Sequence, residues 1–333
     1  MNRVIVLAVA VLALPTRVMA HHSNAEYDFG VFEELEGQVV AISWRNPHVQ
    51  LTLRGAAGET WDLEAQDVNT LGRRGLDPSL IRPGDTVRVA GNPSRRRERT
   101  MFVTNVLLAN GTEIRTRGDT APRWSEEHIG FSEVVLANVQ AAAKKTTGIF
   151  RVWINTGNEE FSSDLPLTAA ARAAQAAWDP ADNLNSRCIS AGMPAAMRMS
   201  AWHPIELEQH DGDIIIRNEL FDIVRTIHMA SSGDAAPRAP SALGYSQGHW
   251  EGPTLVVHTN RIDRPHFERT GAIPLSEAVD VVERFTSDDA HNRLLYEITV
   301  SDPATFTEPV SAHWELDWRP DLVVEPYECT LEG

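Results

Sequence analysis

From Gly37 the chain is a series of short alternating runs cut by turn residues, and this spacing restricts its first third to small β structure. The run GQVVAISW stops at Arg45-Asn46-Pro47. HVQLTLRG then sets Val49, Leu51 and Leu53 on one face, and ETWDLEA follows the Gly55-Ala56-Ala57-Gly58 turn. DVNTLGRRGL predicts a short helix that ends near Gly75. PGDTVRVAG supplies another turn and strand, and TMFVTNVLLANGTEI closes on an Asn110-Gly111 turn. Five short strands and one helix in roughly 80 residues predict a small, strongly twisted OB-like β barrel over residues 21–115.

Residues 116–147 change character. A Pro- and Gly-containing linker leads into FSEVVLANVQAAAKK, whose Ser132 and Glu133 at the start and Lys144 and Lys145 at the end complement a helix dipole, so a connector helix is expected. A second domain, 148–333, carries the helical stretch PLTAAARAAQAAWDP, capped by Thr168 and stopped by Asp179-Pro180. Turns at Asp211-Gly212-Asp213, Trp250-Glu251-Gly252-Pro253 and Asp288-Asp289 separate paired strands. The fold class expected is mainly β, with the second domain an antiparallel barrel or half-barrel that resembles lipocalin-like bacterial barrels in outline.

The first 20 residues combine Arg3, an apolar stretch from Val4 to Leu14, and Val18 and Ala20 around Met19. That is the pattern of a signal peptide cut after Ala20. The apolar stretch is about 11 residues, short of the ~20 that cross a bilayer, so export to the periplasm or the medium is expected without stable membrane insertion. The cut removes Arg3 and Arg17 and takes the net charge from −16 to −18. Such a charge repels phosphate backbones and argues against nucleic acid as a partner. The cluster Arg95, Arg96, Arg97 and Arg99 reads as a solvated turn. In an exported chain the two cysteines, Cys188 and Cys329, point to one disulfide that ties the C-terminal tail back to the second domain; zinc or thiol chemistry is the weaker reading.

Four motifs, Ala20-His21-His22-Ser23, Trp44-x-Asn46-Pro47-His48, Leu71-x-Arg73-Arg74-Gly75 and Pro83-Gly84-Asp85, together resemble a family of exported bacterial domains of unknown function over residues 20–115. The resemblance implies export and a small β barrel and brings no activity. The pattern GYS-x-G-x-WEG-x-TLVV, from Gly244, is similar to the C-terminal part of uncharacterised exported bacterial proteins, again without an activity.

Cleavage after Ala20 would make His21 the first residue, offering an amine and an imidazole to one metal; nitrogen ligands suit Cu(II). This resembles periplasmic copper carriers and copper oxygenases whose mature chains begin with His. His22 and His48, the latter at a strand end, are the further metal candidates, with Glu26 or Asp28 as oxygen donors. The plainer account is a frayed terminus and a hydrogen-bonded turn histidine.

RNELFDIVRTIHM, read as one strand, carries polar groups on both faces, which suggests a polar constellation in a barrel cavity: Glu219 with Arg225, or Asp222 with His228, as candidate catalytic residues. His203, Tyr245, His249, Trp250, Glu283 and Arg284 are candidate ligand-binding residues of the same pocket. Cross-strand ion pairing explains the same residues without catalysis. GYSQG matches G-x-S-x-G by letter at Ser246, but a hydrolase elbow needs a strand before it and a helix after it. The tryptophans Trp153, Trp202, Trp250, Trp314 and Trp318 either fill the barrel or line a ligand pocket. No P-loop, G-x-G-x-x-G or H-E-x-x-H is present. Three functions follow: an exported protein binding a small, apolar ligand in its second barrel; a periplasmic copper-binding protein; or an isomerase or hydrolase built on a carboxylate and a histidine.

Overall fold

The structure, a computed structural model, describes residues 26–118, 120–130, 148–155, 161, 164–198, 203–229, 239–263 and 265–331. The expected connector helix, Trp202 and the paired histidines His21 and His22 lie outside the described residues.

The first domain is a five-stranded barrel. Its strands are β1 (Glu33–Ser43), β2 (Gln50–Gly55), β3 (Thr60–Glu64), β4 (Thr86–Pro93) and β5 (Thr100–Leu108), with helix α1 (Val68–Gly72) between β3 and β4. The sheet order β3-β2-β1-β4-β5 closes on itself through a β3–β5 pairing, which is parallel. This circuit, with the helix after the third strand, is that of an OB barrel. Two short strands, β6 (Glu113–Arg115) and β7 (His128–Ile129), extend the sheet beyond β5. Val49, Leu51 and Leu53 point inward as their alternation predicts, and pack with Leu63, Leu71, Val89, Met101 and Val103. The barrel bends where β4 shifts register between Ala90 and Gly91; a Cβ at Gly91 would stand 2.3 Å from the Phe102 carbonyl oxygen, so only glycine lets the strands approach there.

The second domain is a closed barrel of nine strands: β8 (Val152–Asn155), β9 (Ile205–His210), β10 (Asp213–Asn218), β11 (Ile223–Met229), β12 (Tyr245–Glu251), β13 (Thr254–Asn260), β14 (Asp280–Asp288), β15 (Arg293–Ser301) and β16 (Val310–Trp318). Nine strands cannot alternate direction all the way round, so one adjacent pair must be parallel; it is β11 with β12, and the other pairs are antiparallel. Helix α2 (Ala169–Ala177) lies in the β8–β9 connection, and Thr168 caps it by accepting from the Ala171 amide at 3.2 Å.

One strand assignment needs correction. RNELFDIVRTIHM is a hairpin rather than a single strand: β10 ends at Asn218, which pairs with Ile223. The turn between them holds Phe221 and Asp222 at positive φ, 61° and 53°. The Asn218 side chain shapes it by accepting from the Leu220 amide at 3.1 Å, a local bond that competes with the strand ladder.

Candidate functional site

The axis of the second barrel is filled. Trp153, Phe285, Tyr296, Trp314 and Leu316 are buried in it; Phe285 lies tilted against Tyr296 at 4.7 Å, and Tyr296 stacks on Trp314 at 5.5 Å. Trp318 is buried as well, whereas Trp250 lies on the outside against Phe150. Among the filling side chains is a polar network. Arg225 donates to both carboxylate oxygens of Glu283, to Thr259 Oγ1 at 2.7 Å and to Ser246 Oγ at 3.0 Å, and Tyr296 donates to Glu283 at 2.9 Å. Arg225 and Glu283 are 2% and 0% exposed, so each charge survives burial only because the other is there. Burial and the neighbouring Glu283 carboxylate push the Tyr296 phenol well above its ordinary range. Ser246 sits in β12 within this network, not on a strand-to-helix elbow.

The other candidates named from the sequence are dispersed. Glu219 does not pair with Arg225; it is fully buried and takes both arms of Arg73 from the first barrel, at 2.9 and 2.7 Å. Asp222 does not pair with His228; its carboxylate accepts the Tyr327 and Glu328 amides at 2.7 and 3.2 Å. His228 bonds Asp213 at 2.8 Å and stacks on Tyr245 at 5.2 Å. His249 and Arg284 meet at Glu251 on the exposed β12–β13 hairpin. These residues do not form the single constellation expected of them, because the turn at residues 219–222 reverses the chain.

His203 and His48 do share a site. A cleft of ≈ 700 Å³ is lined by both barrels and by the C-terminal tail, and the two histidines stand in its walls with Glu64, Asp67, Arg269 and Tyr327. Asp67 is the N-cap of α1 and accepts from the Thr70 amide at 2.8 Å; its other neighbour is His203 Nε2 at 3.4 Å, from the second barrel. Burial raises the Asp67 pKa, but the facing His203 imidazole and the bond from the Thr70 amide outweigh it and hold the carboxyl well below the usual range. His48 Nδ1 lies 3.1 Å from the Ala65 carbonyl oxygen. A carbonyl only accepts, so Nδ1 is the donor in this contact, and Glu64 Oε1 lies 3.5 Å from the same nitrogen.

The third wall is the tail. Its main chain is gripped from both sides: Asn46 donates to the Tyr327 carbonyl and Asn69 to that of Pro326 at 3.1 Å, while Asp222 and Glu219 accept its amides. Tyr327 packs edge-on against His203 at 5.6 Å and Phe221 at 5.4 Å. The disulfide between Cys188 and Cys329 forms as expected and pins the tail beside Asn185 and Ser186, two more residues of the cleft. Burial and the charge of Asp67 push the Tyr327 phenol far above its ordinary range. Asp67, Asn69, Arg269 and Tyr327 were not singled out from the sequence. Asp67 reads there only as a helix cap, and Tyr327 lies in a tail without periodicity.

Residues 8–102 match the model of a family of unknown function, DUF6152. The match includes the motifs that supply Asn46 to the C-terminal tail and Arg73 to Glu219 of the second barrel. No curated protein matches the chain.

Proposed function

We propose that this is an exported two-barrel protein that binds a small molecule in the cleft between its barrels rather than inside the second one. The cleft carries the reading. Its ≈ 700 Å³ lies within the range of small-molecule sites, about 300–1,000 Å³. The barrel axis, by contrast, is occupied by Trp153, Tyr296, Phe285 and Trp314. Export is supported by the leader pattern and by the resemblance of the first domain. A library of small molecules screened by thermal shift tests the reading against Ser186→Trp, which sets an indole into the cleft. Hits whose stabilisation vanishes in the variant support it; hits that survive overturn it. The same cleft contains a carboxylate–imidazole pair, Asp67 with His203, the equipment that the isomerase or hydrolase reading requires.

A copper site is the second reading, and His48 favours it. Its Nδ1–H is held by a carbonyl, the arrangement that orients a ligating imidazole through Nε2. Glu26 lines the same cleft. The five-residue span from His21 to Glu26 reaches at most about 17 Å, which would let a mature terminus approach His48. Among the described residues no group of three or more His, Cys, Asp or Glu is placed to hold a metal, so the site would depend on His21 and His22. One equivalent of Cu(II), lost when a residue is added before His21 and weakened by His48→Ala, is the expected titration. Unchanged affinity in the extended protein removes this reading.

A further inference from the structure

The arginine cluster read from the sequence as a solvated turn is divided by the structure. Arg95 turns to Asp28, 3.2 Å away, whereas Arg96 and Arg97 line the cleft. Two further arginines reach the same cleft from separate loops, Arg45 beside the Asn46-Pro47-His48 motif and Arg269 in the loop after β13. That last loop is built firmly. Glu268 is 1% exposed and accepts the amides of Thr270 at 2.8 Å, Ala272 at 2.5 Å and Ile273 at 3.3 Å, which fixes the backbone from which Arg269 projects. The Arg269 charge is felt at the Tyr327 phenol, which places it near the tail wall of the cleft.

Carboxylates also line the cleft, but they are engaged. Glu26 accepts from Arg97 and Ser94, Glu64 from the Tyr27 phenol at 2.9 Å, Asp67 from the Thr70 amide, and Asp179 from the Ala181 amide at 2.9 Å. On the donor side the Arg96 guanidinium has no hydrogen-bond or ion-pair partner among the described residues. Tyr327, with its phenol held protonated, adds a neutral O–H. Arg97 is spent on Glu26, and the four arginines of the cleft face four carboxylates, so its lining is charge-balanced in a chain of net charge −16 and Arg96 supplies its surplus donor. Between the polar groups its walls are aromatic, with Tyr27, Phe102 and Phe221 added to Tyr327. A surplus arginine donor over aromatic walls selects a ligand with an anionic head and an apolar ring body.

We infer that the cleft takes an organic anion, a ring compound bearing a carboxylate, sulfonate or phosphate group, with Arg96 and Arg269 as its specificity-determining residues. This rests on the reading of the cleft as the ligand site. Two fluorescent probes separate the claims: 1-anilinonaphthalene-8-sulfonate, and N-phenyl-1-naphthylamine, which has the same ring body without the charge. Both are titrated into the oxidised full-length protein near neutral pH, with circular dichroism confirming that each variant is folded. The expected result is saturable binding, with the sulfonate about tenfold tighter than the neutral probe, and about a fivefold loss of sulfonate affinity in each of Arg96→Gln and Arg269→Gln at unchanged neutral-probe affinity. Ser186→Trp should abolish both signals. Equal affinity for the two probes, or undiminished sulfonate binding in the Arg96→Gln/Arg269→Gln double variant, overturns the anion inference and leaves the cleft reading intact. Binding by neither probe, or binding that persists in Ser186→Trp, overturns both.

Discussion

Two polar clusters of the molecule behave in opposite ways. Inside the second barrel, Arg225, Glu283, Tyr296, Ser246 and Thr259 satisfy one another, and nothing is left over for a ligand. Between the barrels, Asp67, His203, Tyr327 and the cleft arginines share a space of ≈ 700 Å³ that the described residues do not fill. The first cluster therefore specifies a fold and the second offers a site. Burial of a charged residue is not in itself a sign of function: what matters is whether hydrogen-bonding capacity remains after the protein has paired its own groups.

The largest expected effect tests the closed cluster. Glu283→Ala leaves Arg225 buried and unpaired and should cost about 4 kcal/mol in urea unfolding, whereas the double replacement Arg225→Met/Glu283→Leu should cost far less. A loss below about 1 kcal/mol for the single change would show that water enters the barrel and that its polar cluster is open to solvent after all. Next comes the covalent tie of the open site. Cys188→Ser/Cys329→Ser should lose about 3 kcal/mol through the long loop it releases and should expose the tail around Tyr327 to limited proteolysis, with the barrel strands still protected. A tail that remains resistant would mean that Asn46, Asn69 and Asp222 hold it unaided.

A smaller effect is expected in acid. Asp67 has a folded pKa below its unfolded value, so its contribution is complete above about pH 4 and is lost as the pH falls through the folded pKa. Asp67→Asn should therefore be less stable near neutrality and show a shallower loss of stability below about pH 4; parallel acid limbs would deny the pair with His203 any role in joining the barrels. Smallest of all, Asp222→Asn weakens two charge-assisted bonds to tail amides and should cost about 1 kcal/mol, read as a lower thermal midpoint.

The barrels were legible because their signals are local. Alternation at Val49, Leu51 and Leu53, the helix before Gly75 and the closely spaced turns need no knowledge of distant residues. The site was legible only in part, for the opposite reason. His48 and His203 were found by residue type, but the partner of His203 is Asp67, 136 positions away and disguised as a helix cap. Glu219 and Arg73 are 146 residues apart, so Glu219 drew attention for its polarity while its task, holding the barrels together, stayed hidden. The assignment of residues 217–229 to one strand failed on a left-handed turn at Phe221 and Asp222, residue types that give little warning of positive φ.

The disulfide also links two parts of the cleft that are far apart in the chain. Cys329 follows Tyr327 by two residues, and its partner Cys188 follows Ser186 by two, so the bond joins two walls of the same cleft. Without the bond, hydrogen bonds alone would hold this corner of the cleft. Oxidation therefore adds a covalent tie across the cleft, and the proposed ligand site should be firmer in the oxidised protein than in the reduced one.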